Sequence, residues 1–133
     1  MQFPYILLPG RTDKVKTPIV PIGVSFGGRK YQIMCLLDSG ADRSYLSEDF
    51  ASVLGIEEVE NTEALTMTGI TGDTITTYFH KVSFTIGGHS NEEWFGFGKL
   101  GMPFGILGRT FFAHYIICFD ERRQRVEFKE SRS

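Results

Sequence analysis

Residues 36 to 42 read Leu-Leu-Asp-Ser-Gly-Ala-Asp. Two leucines close an apolar run and give way at once to a carboxylate, then to two of the smallest residues. An aspartate at the inner end of a buried strand costs free energy unless it is solvated or hydrogen-bonded. Gly40 lets the chain turn sharply with no Cβ in the way, so Asp38 can stand at the base of a cleft rather than inside a core. An isolated Asp-Ser-Gly also fits a plain turn in which the carboxylate caps its own backbone. The surroundings have to decide between the two.

Those surroundings read as an all-β domain. At 133 residues the chain fits one unit, residues 1–133, with no linker or low-complexity segment dividing it. Twelve Phe, five Tyr and one Trp beside 15 Gly favour short strands joined by tight turns. Strands are expected over Ile19–Phe26 and Tyr31–Leu37, with Gly27-Gly28 as the hairpin between them. A short helix is expected over Glu48–Leu54: Ser47 caps it, Glu48 and Asp49 suit the positive end of its dipole, and Gly55 stops it. Thr62 to Ile86 form a long Thr-rich hairpin with Gly69 and Gly72 near its tip. Its polar arms predict a hairpin that projects instead of packing into a core. A strand or loop follows Gly87-Gly88, then a strand end, a Gly turn and a short helical turn in Gly105 to Tyr115. Tyr115–Asp120 and Arg125–Glu130 close the chain as a hairpin, and Met1–Leu8 is a terminal strand. Val24 to Gly28 and Val82 to Gly88 echo each other, each leading to an apolar pair, a turn and a small helix, as two similar halves would.

Composition excludes several classes. A net charge of −2 with no basic stripe gives no reason to expect nucleic acid or an anionic membrane. No apolar run approaches the length of a membrane span, and "MQFPYILLPG" lacks a basic region and is broken by Pro4, so it is a poor signal peptide. Cys35 and Cys118 lie in apolar stretches and are expected to be buried free thiols, in keeping with an intracellular setting. His114 and Cys118 stand four apart with no second pair, so no metal is expected. The three His are scattered with no His-Glu-x-x-His, which argues against a zinc hydrolase. No Gly-x-Ser-x-Gly elbow is expected, and Ser39 precedes Gly40 without that pattern, which argues against a serine hydrolase.

The chain resembles the retropepsin-like aspartic proteases. "LLDSGA" matches the family's signature of apolar pair, Asp, Thr or Ser, Gly, Ala. "LLDSGADRSYLSEDFASVLGI" is similar to the version in retrotransposon proteases and related cellular enzymes, where a short helix follows the active-site turn. "MTGITGD" stands where the family has its flap, "GILGRTFF" matches the second signature, and "YIICFDERRQRVEF" resembles the retrotransposon-type closing hairpin. The resemblance implies a single-lobe acid-protease fold and an aspartic endopeptidase with no cofactor. With only one Asp-Ser-Gly in the chain, the second catalytic Asp must come from a second copy. The implied partners are therefore a symmetric homodimer and a peptide or protein substrate. Met1–Leu8 and the C-terminal hairpin are both candidate interface strands.

The same resemblance assigns residues. Asp38 is catalytic, within a turn made with Ser39, Gly40 and Ala41, and the Ser39 hydroxyl makes the cross-subunit hydrogen bond that Thr usually makes. Gly69, Ile70, Thr71 and Gly72 form the flap tip, with Ile70 its apolar contact. Phe104 and Ile106 line substrate pockets. Asp42 and Arg109 form an ion pair that braces the turn, where Arg can grip a carboxylate with two parallel hydrogen bonds. The alternative within the same fold is a dimerisation or peptide-binding module with little or no proteolysis; the intact Asp38 and Gly40 favour the enzyme.

Overall fold

The computed structural model describes residues 1–8, 11–57, 59–60, 62–69 and 71–130. Short strands β1 (Gln2–Pro4), β2 (Ile6–Leu7) and β3 (Lys16–Thr17) lead into β4 (Ile19–Phe26) and β5 (Arg29–Leu37). After the Asp38 turn come β6 (Ser44–Ser47), α1 (Glu48–Leu54), β7 (Ala64–Thr68), β8 (Thr74–Ile86) and β9 (His89–Gly98). The chain ends with β10 (Gly105–Leu107), α2 (Arg109–Phe112), β11 (Tyr115–Asp120) and β12 (Arg125–Glu130).

The main sheet runs β4-β5-β10-β6-β9-β8-β7, and an additional β4–β8 pairing closes its first six strands into a barrel. Closure removes the open edges a sheet would otherwise present. The echo between the two chain segments is visible in the pairing. The β4–β5 and β8–β9 hairpins turn on Gly27-Gly28 (φ 54° and 85°) and Gly87-Gly88 (φ 53° and 87°). Positive φ at both positions is the two-residue turn whose twist matches that of the strands it joins. Val24 faces Phe84 across the β4–β8 seam. Each hairpin's second strand then runs parallel to the short strand of the other half, β5 with β10 and β9 with β6.

Alternation fills the barrel. Val20, Ile22 and Val24 from β4, Ile33, Cys35 and Leu37 from β5, and Val82, Phe84 and Ile86 from β8 all point inward and are buried. Phe84 is at the centre, edge-on to Phe95 and tilted against Phe111 of α2. Helix α1 has the expected bounds. Ser47 accepts a hydrogen bond from the Asp49 N–H, and Gly55 ends the helix at φ 81°, a left-handed conformation that costs a Cβ-bearing residue more.

Three expectations need amending. The second strand starts at Arg29, two residues before Tyr31, because the tight Gly-Gly turn needs no extra loop. The terminal strand is not continuous: β1 pairs with β12, and β2 pairs with β3 beyond the buried Tyr5. Cys35 is buried as expected, and burial pushes its thiol up, but Cys118 is exposed. It lies in β11, at the margin of a three-stranded sheet ordered β1-β12-β11, outside the barrel. No helix among the described residues is long and apolar enough to cross a membrane.

The packing around Phe84 gives a direct stability test. Phe84→Ala removes a fully buried ring from the barrel centre, and urea unfolding should show a loss of about 3–5 kcal/mol.

Candidate active site

β5 carries Leu37 into the core and releases the chain at Asp38, whose side chain is half-buried. The carboxylate oxygen Oδ1 accepts the Gly40 N–H at 2.9 Å, and the Ala41 N–H donates to the Asp38 carbonyl at 3.2 Å. The self-capping turn is thus present. It is also what fixes the carboxylate, so turn and cleft are one arrangement. A Cβ on Gly40 would lie 3.2 Å from Asp38 Oδ1, close enough to crowd it.

The turn is held from the other half of the barrel. The Asp38 N–H donates to the Leu107 carbonyl at 3.0 Å, and the Arg109 N–H donates to the Ala41 carbonyl at 2.8 Å. The Gly108 N–H donates to Ser44 Oγ at 3.1 Å, and Ser44 Oγ stands 3.4 Å from Thr110 Oγ1. The strand end at Leu107 and the start of α2 therefore clasp residues 38–44 along their length. Gly108 is required for it: a Cβ there would overlap the Arg43 carbonyl oxygen and stand 2.7 Å from that of Ala41.

The expected ion pair is formed. Arg109 Nη2 bonds Asp42 Oδ1, and Nη1 donates to the Ser39 carbonyl at 3.2 Å. Arg109 therefore grips the turn at a carboxylate and a carbonyl. The two side chains are 57% and 76% exposed. A pair so open to water contributes about 0–1 kcal/mol, so in this chain the backbone clasp, not the charge, holds the turn.

Above the turn, β7 and the start of β8 form the hairpin predicted to project. Gly69 donates to the Asp73 carbonyl, and Gly72 (φ 88°) donates back to the Gly69 carbonyl, each at 3.0 Å. Gly69, Thr71 and Gly72 are exposed; Ile70 lies outside the described residues. The hairpin root is more buried than its polar arms predict. Thr77 is fully buried and donates its hydroxyl to the Leu65 carbonyl, while Phe79 packs edge-on against Tyr45.

Between hairpin and turn lies a cleft of about 510 Å³, with Asp38, Gly40, Ala41, Asp42 and Tyr45 on one side and Thr66 to Gly69 on the other. Size does not single it out, since depressions of about 420 to 500 Å³ occur elsewhere. Its distinction is a strand-end carboxylate beneath a Gly-tipped hairpin. Phe104 and Ile106 are not among these lining residues. Ile106 is only 5% exposed and packs with Tyr45, Phe79 and Leu100 in a small cluster that also takes in Met67 and Met102. Both orientations of β10 are buried, so counting along "ILGR" could not tell which layer Ile106 occupies. Tyr45 and Met67, which do line the cleft, were not singled out from sequence. Neither were Ser44, Thr110 and Glu93 behind the turn; Glu93 falls in alternation with Phe95 and Phe97, which marks it as inward-facing.

The letters Gly-x-Ser-x-Gly do occur, at Gly23 to Gly27. They span the end of β4 and its hairpin turn, with Ser25 opposite Lys30 and Ser83, and form no strand-to-helix elbow.

A closed barrel with an Asp-Ser-Gly turn clasped by an apolar-Gly-Arg segment and covered by a hairpin defines a retropepsin-like lobe. Comparison with known families agrees. A family model described as aspartyl protease matches residues 22–111, and the chain belongs to that family. Among solved structures, the EIAV protease complexed with the inhibitor HBY-793 is similar in fold, with a TM-score of 0.57 and 19% identity. The match covers 77% of this chain and 91% of that one. No curated protein matches the sequence.

Gly108→Ala tests the clasp. The obstructing atoms are backbone carbonyls of the turn itself, so the variant should lose cooperative thermal unfolding or melt far below the wild type. Gly101→Ala, with nothing within 4 Å of the added Cβ but φ at 70°, should cost only the local strain, about 1 kcal/mol.

Proposed function

We propose that the protein is an aspartic endopeptidase active as a symmetric homodimer, with Asp38 of each subunit forming the catalytic pair. The observation that carries this reading is the placement of Asp38: a strand-end carboxylate fixed by its own turn, at the floor of a cleft beneath a Gly-tipped hairpin. Asp42, the other carboxylate among the described residues lining the cleft, is engaged by Arg109. A second free carboxylate therefore has to come from a second copy, and a two-fold axis beside the turn brings Asp38 to its twin.

Two carboxylates about 3 Å apart share one proton, because both cannot be ionised at that distance. The ionised Asp38 takes a proton from a water held between the two. The neutral one donates to the scissile carbonyl. Water adds to the carbonyl carbon, and the proton passes to the leaving nitrogen as the C–N bond breaks. The Ser39 hydroxyl, exposed beside Asp38, bonds across the axis to tie the two turns together. An extended substrate lies between hairpin and floor, bonded through its backbone, and closure of residues 69–72 excludes water. Tyr45 and Met67 form the apolar walls seen by side chains flanking the cleaved bond. Ile106 supports them from beneath, and Phe104, half-buried, is the outer contact.

The dimer seam is assigned to β11. Among the described residues β1 and β11 are both edges of the small sheet, each bonded only to β12, but β1 is three residues long and β11 six. β11 also exposes Ile116 (52%) and Phe119 (43%). A six-residue strand edge with apolar flanks is an edge a globular protein needs to cover.

The test is cleavage of an unfolded protein from about pH 3.5 to about pH 7, read by mass spectrometry, beside Asp38→Asn. The wild type should cut between apolar residues in acid, and the variant should be slower by at least about a hundredfold. Specific activity should fall on dilution as the dimer dissociates. Equal cleavage by both proteins would overturn the assignment of Asp38. A stable dimer with no cleavage of any tested chain would favour a peptide-binding module instead.

A further inference from the structure

Behind the active-site turn lies a carboxyl group that the mechanism above does not use. Glu93 is 6% exposed, and among the described residues neither of its oxygens has a hydrogen-bond partner. It points inward from β9 toward the hydroxyls of Ser44 and Thr110, the pair that receives the Gly108 N–H and ties α2 to the turn. The hydroxyls stand close enough to favour the charged carboxylate somewhat, but short of formed bonds; burial outweighs them and pushes the Glu93 carboxyl up from its ordinary value.

We propose that Glu93 is a positioning residue whose neutral carboxyl completes a ring with the Ser44 and Thr110 hydroxyls and so holds the active-site turn. The count of protons supports it. Ser44 Oγ already accepts from Gly108, and it keeps one lone pair and one proton to place. A neutral Glu93 donates its O–H to Ser44, Ser44 donates to Thr110, and Thr110 donates to the Glu93 carbonyl, so every donor has an acceptor. An ionised Glu93 donates nothing and draws both hydroxyl protons to itself. Ser44 and Thr110, 3.4 Å apart, then face each other with no proton between them.

Among the described residues, no charge on the elements around Glu93 replaces this proton. The residue opposite Glu93 on β8 is Val82. The next charged residues along these strands, Lys81 and Glu92, pair with each other at 3.1 Å and are exposed. Arg43, beside Ser44, lies over the Phe79 ring, and Arg109, beside Thr110, holds Asp42 and Ser39. Toward β11 the titratable groups are Tyr115 near Asn91 and His114 against Tyr115; burial raises the phenol and lowers the imidazole, so each disfavours a charge there.

The folded state raises the Glu93 pKa, so the stabilisation is complete below the ordinary glutamate range and is lost as pH rises through the raised value. Glu93→Gln keeps the shape and stays a donor at all pH. The direct readout is hydrogen exchange at the Gly108 amide, expressed as a protection factor, at about pH 4.5 and about pH 7.5. Wild-type protection should fall by about tenfold or more relative to Glu93→Gln across that range, and the wild-type melting temperature should fall with it. Equal pH dependence in the two proteins would overturn the proposal. If Glu93→Gln does not fold, the carboxyl carbon shift of Glu93 followed by NMR in the wild type decides. A midpoint above that of an ordinary glutamate supports the proposal, and one at or below it overturns it. The consequence for catalysis rests on the role of Asp38 proposed above: Glu93→Gln should extend the alkaline limb of kcat/KM. The exchange measurement needs no activity, so the two readings fail separately.

Discussion

The structure depends on a short clasp of two backbone bonds and one from backbone to the Ser44 hydroxyl. Leu107, Gly108 and Arg109 meet residues 38 to 44 through the Asp38, Arg109 and Gly108 N–H groups, at 3.0, 2.8 and 3.1 Å. This clasp joins the two halves of the barrel where each leaves its long hairpin. It lets a carboxylate sit at the end of a buried strand without exposing the strand to water. Gly108 is the condition for it, since any side chain would push the two backbones apart. Burial supplies the rest of the stability. Leu37, Leu46 and Leu107, all 5% exposed or less, lock the strands on either side of the turn.

The energetics divide the site into a rigid floor and a loose roof. The floor is backbone bonding within a closed barrel, where neighbouring strands share the load. The roof is a hairpin whose described tip residues bond to one another, Gly69 to Asp73 and Gly72 to Gly69, with Gly72 at positive φ. Under the proposed function, that division suits a site that holds a carboxylate still while admitting and releasing an extended chain. The Asp42–Arg109 pair lies between the two regimes. Exposed in one chain, it contributes little alone; covered by a second copy, it would be desolvated and count for more.

Much of this was legible in the sequence where local chemistry decides the outcome. Helix α1 runs from Glu48 to Leu54 because Ser47, Glu48, Asp49 and Gly55 each state their preference independently of the rest of the chain. The two Gly-Gly hairpins and the closing hairpin were readable for the same reason. Cys118 was misplaced because "YIICF" looks like an interior strand, whereas it lies at the outer margin of a small sheet with one side unpaired. Ile106 was assigned to the cleft because the order of residues gives spacing along β10 but not depth. Glu93 escaped notice because a carboxylate in "NEEWF" reads as a solvated charge. Only the inward alternation with Phe95 and Phe97, together with hydroxyls brought from β6 and α2, makes it a buried group.

The central claim is that one site is built from two chains, each giving one Asp38. Mixing wild type with Asp38→Asn at fixed total concentration, after allowing subunits to exchange, tests it most directly. If both carboxylates are needed, activity follows the square of the wild-type fraction, so an equal mixture retains about a quarter of it. Activity that falls in simple proportion to the wild-type fraction would mean that each chain works alone, and would contradict the account.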